Sequence, residues 1–461
     1  MTLPTDTMKI YFVDDLPPQT VAMLQSLYSR SPKSVIEHLE TVTATGAEKF
    51  MDQYYVGYGH KSIGDCGTTT IFLEDVSMLA AKAIQDTPLY NGQEASTRYM
   101  DMASRPLVDP AGIPEATELQ RLWMELYRDT LTAMTRYFEI KYPIQPGERE
   151  STWKKAILAR AFDVSRGFLP AGVTTFVSWH TNLRQAADRL RVLNYHPLPE
   201  VRQLSQETLT DLKESYTASF SHRSYSESEE FLAQTVPAST YDHQSPYNVY
   251  GLGSLRFYDT KTHFDHRHLW EKRPAKTELP RATEAFGKIR FTFSLDFGSY
   301  RDLQRHRSAY QPMPVLTNAK FHWWYMNQIL QTPEGTGLQK RFLDATERLH
   351  NLVRFLRREK GEKLGTEFAQ YYVPMGYEVG VTLDCSLASA VYIAELRSGQ
   401  SVHPTLRAVA QGMASYLAGE LRVPVHADMG PDLWSTRRGD QDIVAKPVPG
   451  SPEDRSPRAK T

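Results

Sequence analysis

The amino-acid sequence predicts a mixed α and β protein, of α/β order, made of two diverged copies of one unit. Three observations lead there. The chain has 461 residues, too long for one typical core and long enough for two domains. A fixed order of pieces occurs twice: strand, helix, loop, long amphipathic helix, Pro-led apolar run, closing helix. The landmarks that punctuate it come in matching pairs, Leu169-Pro170 with Val373-Pro374 and His196-Pro197 with His403-Pro404. The predicted division is a first domain over 1–220, a linker over 221–250, a second domain over 251–443 and a disordered tail over 444–461.

Residues 8–13 alternate like a strand. Pro17-Pro18 then open a helical pattern with Val21, Leu24, Leu27 and Tyr28 on one face. A second helical stretch, 48–58, runs into a glycine-punctuated turn, Gly57 to Asp65, that holds His60 and Ser62. The β-branched, apolar run 68–73 predicts a strand, and 76–84 a helix. A loop over 90–99 carries Glu94, Ser96 and Arg98. The spacing of Leu119, Leu122, Trp123, Leu126, Leu131 and Met134 predicts a long amphipathic helix over 114–138, and another helix follows over 152–164. Arg166, Leu169-Pro170, a buried run and Asn182-Leu183-Arg184 come next, then a helix over 198–216. The stretch 221–250, rich in Ser, Tyr, Glu and Pro, is the predicted linker.

Beyond it, 289–295 alternates like a strand and 300–305 is helical. A long helix carries Leu338, Phe342, Leu349, Leu352 and Leu356. Val373-Pro374, an apolar run, Leu396-Arg397 and His403-Pro404 lead to the closing helix. The tail is rich in Pro, Ser and charge, which disfavours a packed core.

Composition narrows the function classes. With 41% hydrophobic and 23% charged residues, the chain has an ordinary globular balance. A net charge of −1 gives no global field to attract nucleic acid. No basic stripe interleaves with aromatics, which favours single nucleotides over polymers. The two cysteines, Cys66 and Cys385, lie far apart and match no metal spacing. The N-terminus lacks a signal pattern and no apolar run reaches membrane-spanning length, so the expectation is a cytoplasmic protein with no metal.

The chemistry concentrates in two sets. The first half holds His60, Glu94, Ser96, Arg98, Arg166, Asn182 and Arg184; the second holds Arg305, His306, Arg307 and Arg397. Arginine grips phosphate with a planar fork and stays charged at any working pH. Together the sets suit a nucleotide and a second phosphate-bearing ligand. Each residue also has a structural reading. Glu94 and Arg98 have ion-pair spacing, as do Arg184 and Asp188. His60 can cap a turn, and Arg397 can end an exposed helix.

These motifs resemble the flavin-dependent thymidylate synthases. The first half carries Gly59-His60-Lys61-Ser62, with Asp65 where that family has Glu, and Glu94-Ala95-Ser96-Thr97-Arg98-Tyr99. It also carries Arg166 before Leu169-Pro170, and Asn182-Leu183-Arg184, but has Asp86-Thr87-Pro88 where Arg-His-Arg is expected. The second half is the complement. It keeps Arg305-His306-Arg307 and Leu396-Arg397, while Met313, Val315 and Thr317 stand at the Glu-x-Ser-x-Arg positions and Gln370 at that of Arg166.

The resemblance implies an α+β fold of two tandem synthase-like domains, antiparallel sheet with long helices, forming a pseudo-dimer. Two chains, a homodimer, would rebuild a pseudo-tetramer. It implies FAD reduced by NADPH, dUMP or a related pyrimidine nucleotide as acceptor, and methylene-tetrahydrofolate as carbon donor. Arg305, Glu94, Ser96, Arg98, Arg166 and Arg397 are the implied substrate residues, with Arg397 and Ser96 closest to the chemistry. His60, Ser62, Asp65, Asn182, Arg184, His306 and Arg307 are the implied flavin residues. A nucleotide-binding pseudoenzyme and a regulatory partner of an intact synthase fit the same residues.

Overall fold

The computed structural model describes residues 9–146, 149–247 and 252–430. The chain forms two compact units that interleave along the sequence. One draws on Met1–Ala95 and Thr174–Asp242, the other on Ser96–Val173 and His243–Thr461. These units differ from the linear division into 1–220, 221–250 and 251–443, because residues 96–173 pack with the second half. The predicted tail over 444–461 lies outside the described residues.

The first unit is built on an antiparallel pair, β1 (Thr68–Ser77) with β2 (Thr174–Asn182). Its register shifts between Leu73 and Val76, where Asp75 takes a φ of 58°, the signature of a bulge. β1 ends at Ser77, whose hydroxyl accepts from the Ala80 backbone N–H and starts the helix Met78–Gln85, buried along its whole length. β2 runs into the helix Leu183–Leu193, capped by the Asn182 side chain, and then the helix Pro199–Ser215. A helix that periodicity missed, Val35–Thr45, begins with a capping box of Ser34 and Glu37. One expectation fails here. Residues 9–13 form no strand, and Ile10 and Phe12 stand exposed, because alternation without a partner edge gives the backbone nothing to bond. The predicted linker contains a helix, Ser226–Ser239.

The second unit holds a three-stranded antiparallel sheet in the order β3 (Gly253–Arg256), β4 (Lys288–Asp296), β5 (Glu378–Cys385). β4 pairs with β5 from Ile289↔Cys385 to Asp296↔Glu378. Ile289, Phe291, Phe293 and Leu295 all point into the core, which is why this strand was legible as an alternating run. The two long helices, Pro114–Lys141 and Gly335–Lys360, pack together, with Trp123 and Phe342 ring centroids 5.8 Å apart.

The matching Pro-led landmarks pair with each other. Pro170 and Pro374 form an antiparallel bridge. Around it Ala171 N–H donates to Val373 O at 3.0 Å, and Met375 N–H to Leu169 O at 2.8 Å. This pairing ties residues 96–173 to the second half. The His-Pro landmarks do not occupy matching places. His403 is the N-cap of the helix Pro404–Glu420, whereas the N-cap of Pro199–Ser215 is Leu198, two residues after His196.

Candidate functional site: a guanidinium cluster in the second unit

The helix Glu150–Ser165 runs directly into a 3-10 turn, Arg166–Phe168. Asp163 and Arg166 therefore sit one turn apart. Arg98 reaches Asp163 with both arms of its fork, Nε to Oδ1 at 2.6 Å and Nη2 to Oδ2 at 3.0 Å, and also donates to Ser401 O at 3.0 Å. This is the bidentate geometry that makes guanidinium–carboxylate pairs strong. Arg166 donates Nη2–H to Ser299 Oγ at 2.9 Å, and its Nη1 lies 3.5 Å from Asp302 Oδ2.

β4 supplies a second acid. It ends at Asp296, which accepts from Ser299 N–H at 2.9 Å and from the Tyr325 hydroxyl at 2.8 Å, and starts the helix Phe297–Leu303. Asp302 lies on that helix. Arg305 follows just beyond its end, not inside it as the sequence predicted, with Nε 3.9 Å from Asp302 Oδ1. The helix Leu387–Arg397 closes the cluster. Arg397 donates Nε–H to His306 Nε2 at 2.7 Å and Nη2–H to Asp302 O at 2.9 Å. His403 sits beneath. Its Nδ1 is 3.1 Å from Ser299 Oγ and its Nε2 is 3.1 Å from Asp163 O. An acceptor carbonyl at Nε2 means that nitrogen carries the proton.

Electrostatics follow from this packing. Burial pulls the Arg98 guanidinium down, but the bidentate Asp163 outweighs it and holds Arg98 above its ordinary value. Burial opposes charge on Asp302 too, yet Arg166, Arg98, Arg305 and Arg397 together hold its carboxyl well below the usual range. Burial, with Arg397 next to it, pushes His306 down to about 3. Burial, with Arg166 nearby, does the same to His403, also to about 3. Both imidazoles are neutral at working pH, so His306 accepts from Arg397.

Five of the predicted site residues thus meet in this unit: Arg98, Arg166, Arg305, His306 and Arg397. Arg166 is 1% exposed, whereas Arg305 is exposed and Arg98 and Arg397 are half-buried. Ser96 Oγ accepts from the Arg98 backbone N–H at 3.3 Å, and Arg307 is half-buried. Beside Arg397 opens a cleft of about 840 Å³ lined in part by Tyr392, Leu396, Ser308 and Arg281.

The first unit holds the rest. Glu94 forms a buried pair with Lys82 at 2.8 Å and accepts from Gln85 at 2.9 Å. The Glu94–Arg98 pair read from spacing is replaced by these partners and by Asp163. Asp65 accepts from Arg184 Nε at 2.6 Å, which brings the Gly-His turn and the Asn-x-Arg segment together. Arg184 also pairs with Asp188 at 3.7 Å, the structural pair that helical spacing predicts. Asn182 Oδ1 caps Gln185 N–H at 2.8 Å. His60 and Ser62 are exposed, and the His60 ring stacks on Tyr58 at 6.2 Å. The Arg184 guanidinium is shared between Asp65 and Asp188.

Sequence reasoning missed Asp163, Asp296, Asp302 and His403. Cations in a motif are conspicuous, whereas these acids belong to no motif. Acids three residues before Arg166 and three before Arg305 were the available sign, since that spacing shares a helical face.

The sequence model of the family described as "Thymidylate synthase complementing protein" matches residues 13–216. The resemblance drawn from the motifs therefore holds over that span. Similarity to other proteins runs across most of the chain. A UPF0159 protein of Chlamydia muridarum (strain MoPn / Nigg) is 26% identical over 428 residues, 80% of this chain and 79% of its own length. One of Chlamydia pneumoniae is 27% identical over 425 residues, covering 80% of this chain and 77% of its own. One of Thermoplasma acidophilum is 21% identical over 462 residues, covering 84% and 90%. Among the described residues no helix is long and apolar enough to cross a membrane, and no cluster of His, Cys, Asp or Glu has the makings of a metal site.

Proposed function

We propose that the chain is a tandem-duplicated, diverged thymidylate synthase-like enzyme. It transfers a one-carbon unit from methylene-tetrahydrofolate to C5 of dUMP or a related pyrimidine nucleotide. Two synthase-like halves make a pseudo-dimer, and two chains a pseudo-tetramer. One observation carries the reading: Arg98 and Arg166 from the first half and Arg305 and Arg397 from the second surround one carboxylate, Asp302.

In this reading Arg305 and Arg397 meet the nucleotide, with Arg98 and Arg166 behind them supplying fixed positive potential. Arg397 stabilises negative charge on the pyrimidine as C5 becomes nucleophilic. Its Nε–H bond to neutral His306 fixes the plane of its fork. Ser96 and Glu94 complete the substrate residues. His60, Ser62, Asp65, Asn182 and Arg184 are the residues for FAD. When bound and reduced by NADPH, the flavin supplies the redox chemistry, and the protein binds and orients.

The test is a titration of the full chain, supplied with FAD, with dUMP while the flavin bands are followed, then an assay of NADPH oxidation with methylene-tetrahydrofolate. Shifted bands and turnover that Arg397→Ala abolishes support the enzyme. The deep burial of Arg166 favours a second reading, a nucleotide-binding protein without turnover. In that case dUMP binds and NADPH is not consumed. A protein indifferent to both ligands sinks both readings.

A further inference from the structure

The acids of the guanidinium cluster are not held alike. Asp163 is fixed by two short bonds from Arg98, at 2.6 and 3.0 Å. Asp296 is fixed by a backbone N–H at 2.9 Å and a tyrosine hydroxyl at 2.8 Å. Asp302 has neither kind of anchor. Its two oxygens lie 3.5 Å from Arg166 Nη1 and 3.9 Å from Arg305 Nε. Those are ion-pair separations, too long for hydrogen bonds. Its side chain keeps 18% exposure, against 6% for Asp163 and none for Asp296. The backbone of Asp302 is fixed by Arg397, through the 2.9 Å bond to its carbonyl, so only the carboxylate is loosely held.

The charges explain why a carboxylate stands there. Arg98 is matched by Asp163, and Arg166 shares Asp296 and Asp302. Arg305 and Arg397 would otherwise crowd their positive charge against the buried pair. A partly buried like-charge cluster is costly, and one anion among the four relieves it. The same carboxylate opposes any second anion brought to Arg305 and Arg397. A site built only to hold a phosphoryl group gains nothing from it.

We propose that Asp302 is the resident anion of this cluster and sets which ligands it accepts by charge: a phosphomonoester nucleotide enters only in competition with the Asp302 carboxylate. This deepens the reading of the cluster as a nucleotide site and rests on it. Asp302 is a specificity-determining residue. It weakens the hold on a phosphate dianion, speeds its release, and leaves the affinity for an uncharged nucleoside untouched.

The experiment is calorimetric titration of the full chain and of Asp302→Asn and Asp302→Ser with dUMP, inorganic phosphate and deoxyuridine, at fixed low salt. In the two variants dUMP and phosphate bind about tenfold tighter or more, since one opposing charge is removed at close range. Deoxyuridine binding does not change. A structural role alone does not tighten anion binding. Folded variants that bind dUMP no tighter than the natural chain overturn this inference and leave the nucleotide reading intact. Failure of the natural chain and both variants to bind dUMP or phosphate overturns the nucleotide reading itself. If both variants fail to fold, the carboxylate is an obligatory structural counter-ion that no ligand displaces, and the inference falls.

Discussion

Two 3-10 turns flank the same pair of Pro-led runs, Arg166–Phe168 and Gln370–Tyr372, and they differ in charge. Each opens on a residue that is all but inaccessible, Arg166 at 1% and Gln370 at 0%. Each follows an acid three residues earlier, Asp163 or Glu367. Around the first turn every charge is answered: Asp163 by Arg98, Arg166 by Asp296 and Asp302. Around the second the polar groups turn to the backbone. Gln370 Oε1 accepts from Leu316 N–H at 2.9 Å and its Nε2 donates to Glu367 O at 3.0 Å. Among the described residues Glu367 meets no arginine, only His243 Nε2 at 3.6 Å, and burial pushes its carboxyl up to about 7. One backbone geometry thus supports a charged site or a neutral buttress, depending on whether the loop ahead delivers a guanidinium.

The sharpest break of that contrast is Arg166→Ala. It leaves the buried Asp296 and the half-buried Asp302 with a partner lost, a loss that costs about 3–5 kcal/mol in comparable buried pairs. Chemical denaturation measures it. Gln370→Ala leaves one backbone N–H unanswered and costs about 1–3 kcal/mol. Equal costs would mean that the charge of the first turn adds nothing beyond filling space.

Acid comes next. His306 and His403 fall to about 3 in the folded chain, as does His196, against an ordinary 6.5. Between those values the unfolded chain binds more protons, so stability is present above pH 6.5 and lost as pH falls toward 3. Glu367 works the other way. Its carboxyl rises from 4.5 to about 7 in the fold, so its contribution declines as pH rises through that window. Glu367→Gln removes the decline. The variant should gain about 1–2 kcal/mol over the natural chain at pH 8 and nothing at pH 4, allowing for screening. Thermal melts at the two pH values, with the natural chain alongside, read the difference directly.

The elements that the sequence made legible were those whose pattern matches their burial. β4 alternates with a period of two, and the helices Pro114–Lys141 and Gly335–Lys360 show wide apolar stripes. Residues 9–13 carry the same alternation as β4 but no partner strand, and pattern alone does not distinguish the two. The helix Leu387–Arg397 was hidden because its sequence, rich in Ala, Leu and Ile, is apolar on several faces. In the cluster the arginines were legible, since a guanidinium in a motif is conspicuous. Asp163, Asp302 and His403 were not: their importance comes from which loop packs beside them, and Asp163 and His403 are 240 residues apart.

Arg305→Ala is the gentlest of these changes for the fold and separates binding from stability. Arg305 is exposed, its side chain at 44%, and its ion pair to Asp302 spans 3.9 Å. Exposed pairs of this kind contribute about 0–1 kcal/mol, so the variant should unfold within that margin of the natural chain. Binding should respond quite differently. Arg305 is the most exposed guanidinium of the cluster, and in the proposed reading a phosphoryl group that loses it loses a charge-assisted bond of about 1.5–3 kcal/mol. Affinity for dUMP should then fall roughly ten- to hundredfold while the melting curve barely moves. Arg166→Ala gives the opposite pattern, with stability falling first. A variant of Arg305 that melts early and still binds would reverse the assignment, making the exposed arginine the structural one and returning the ligand to the buried pair.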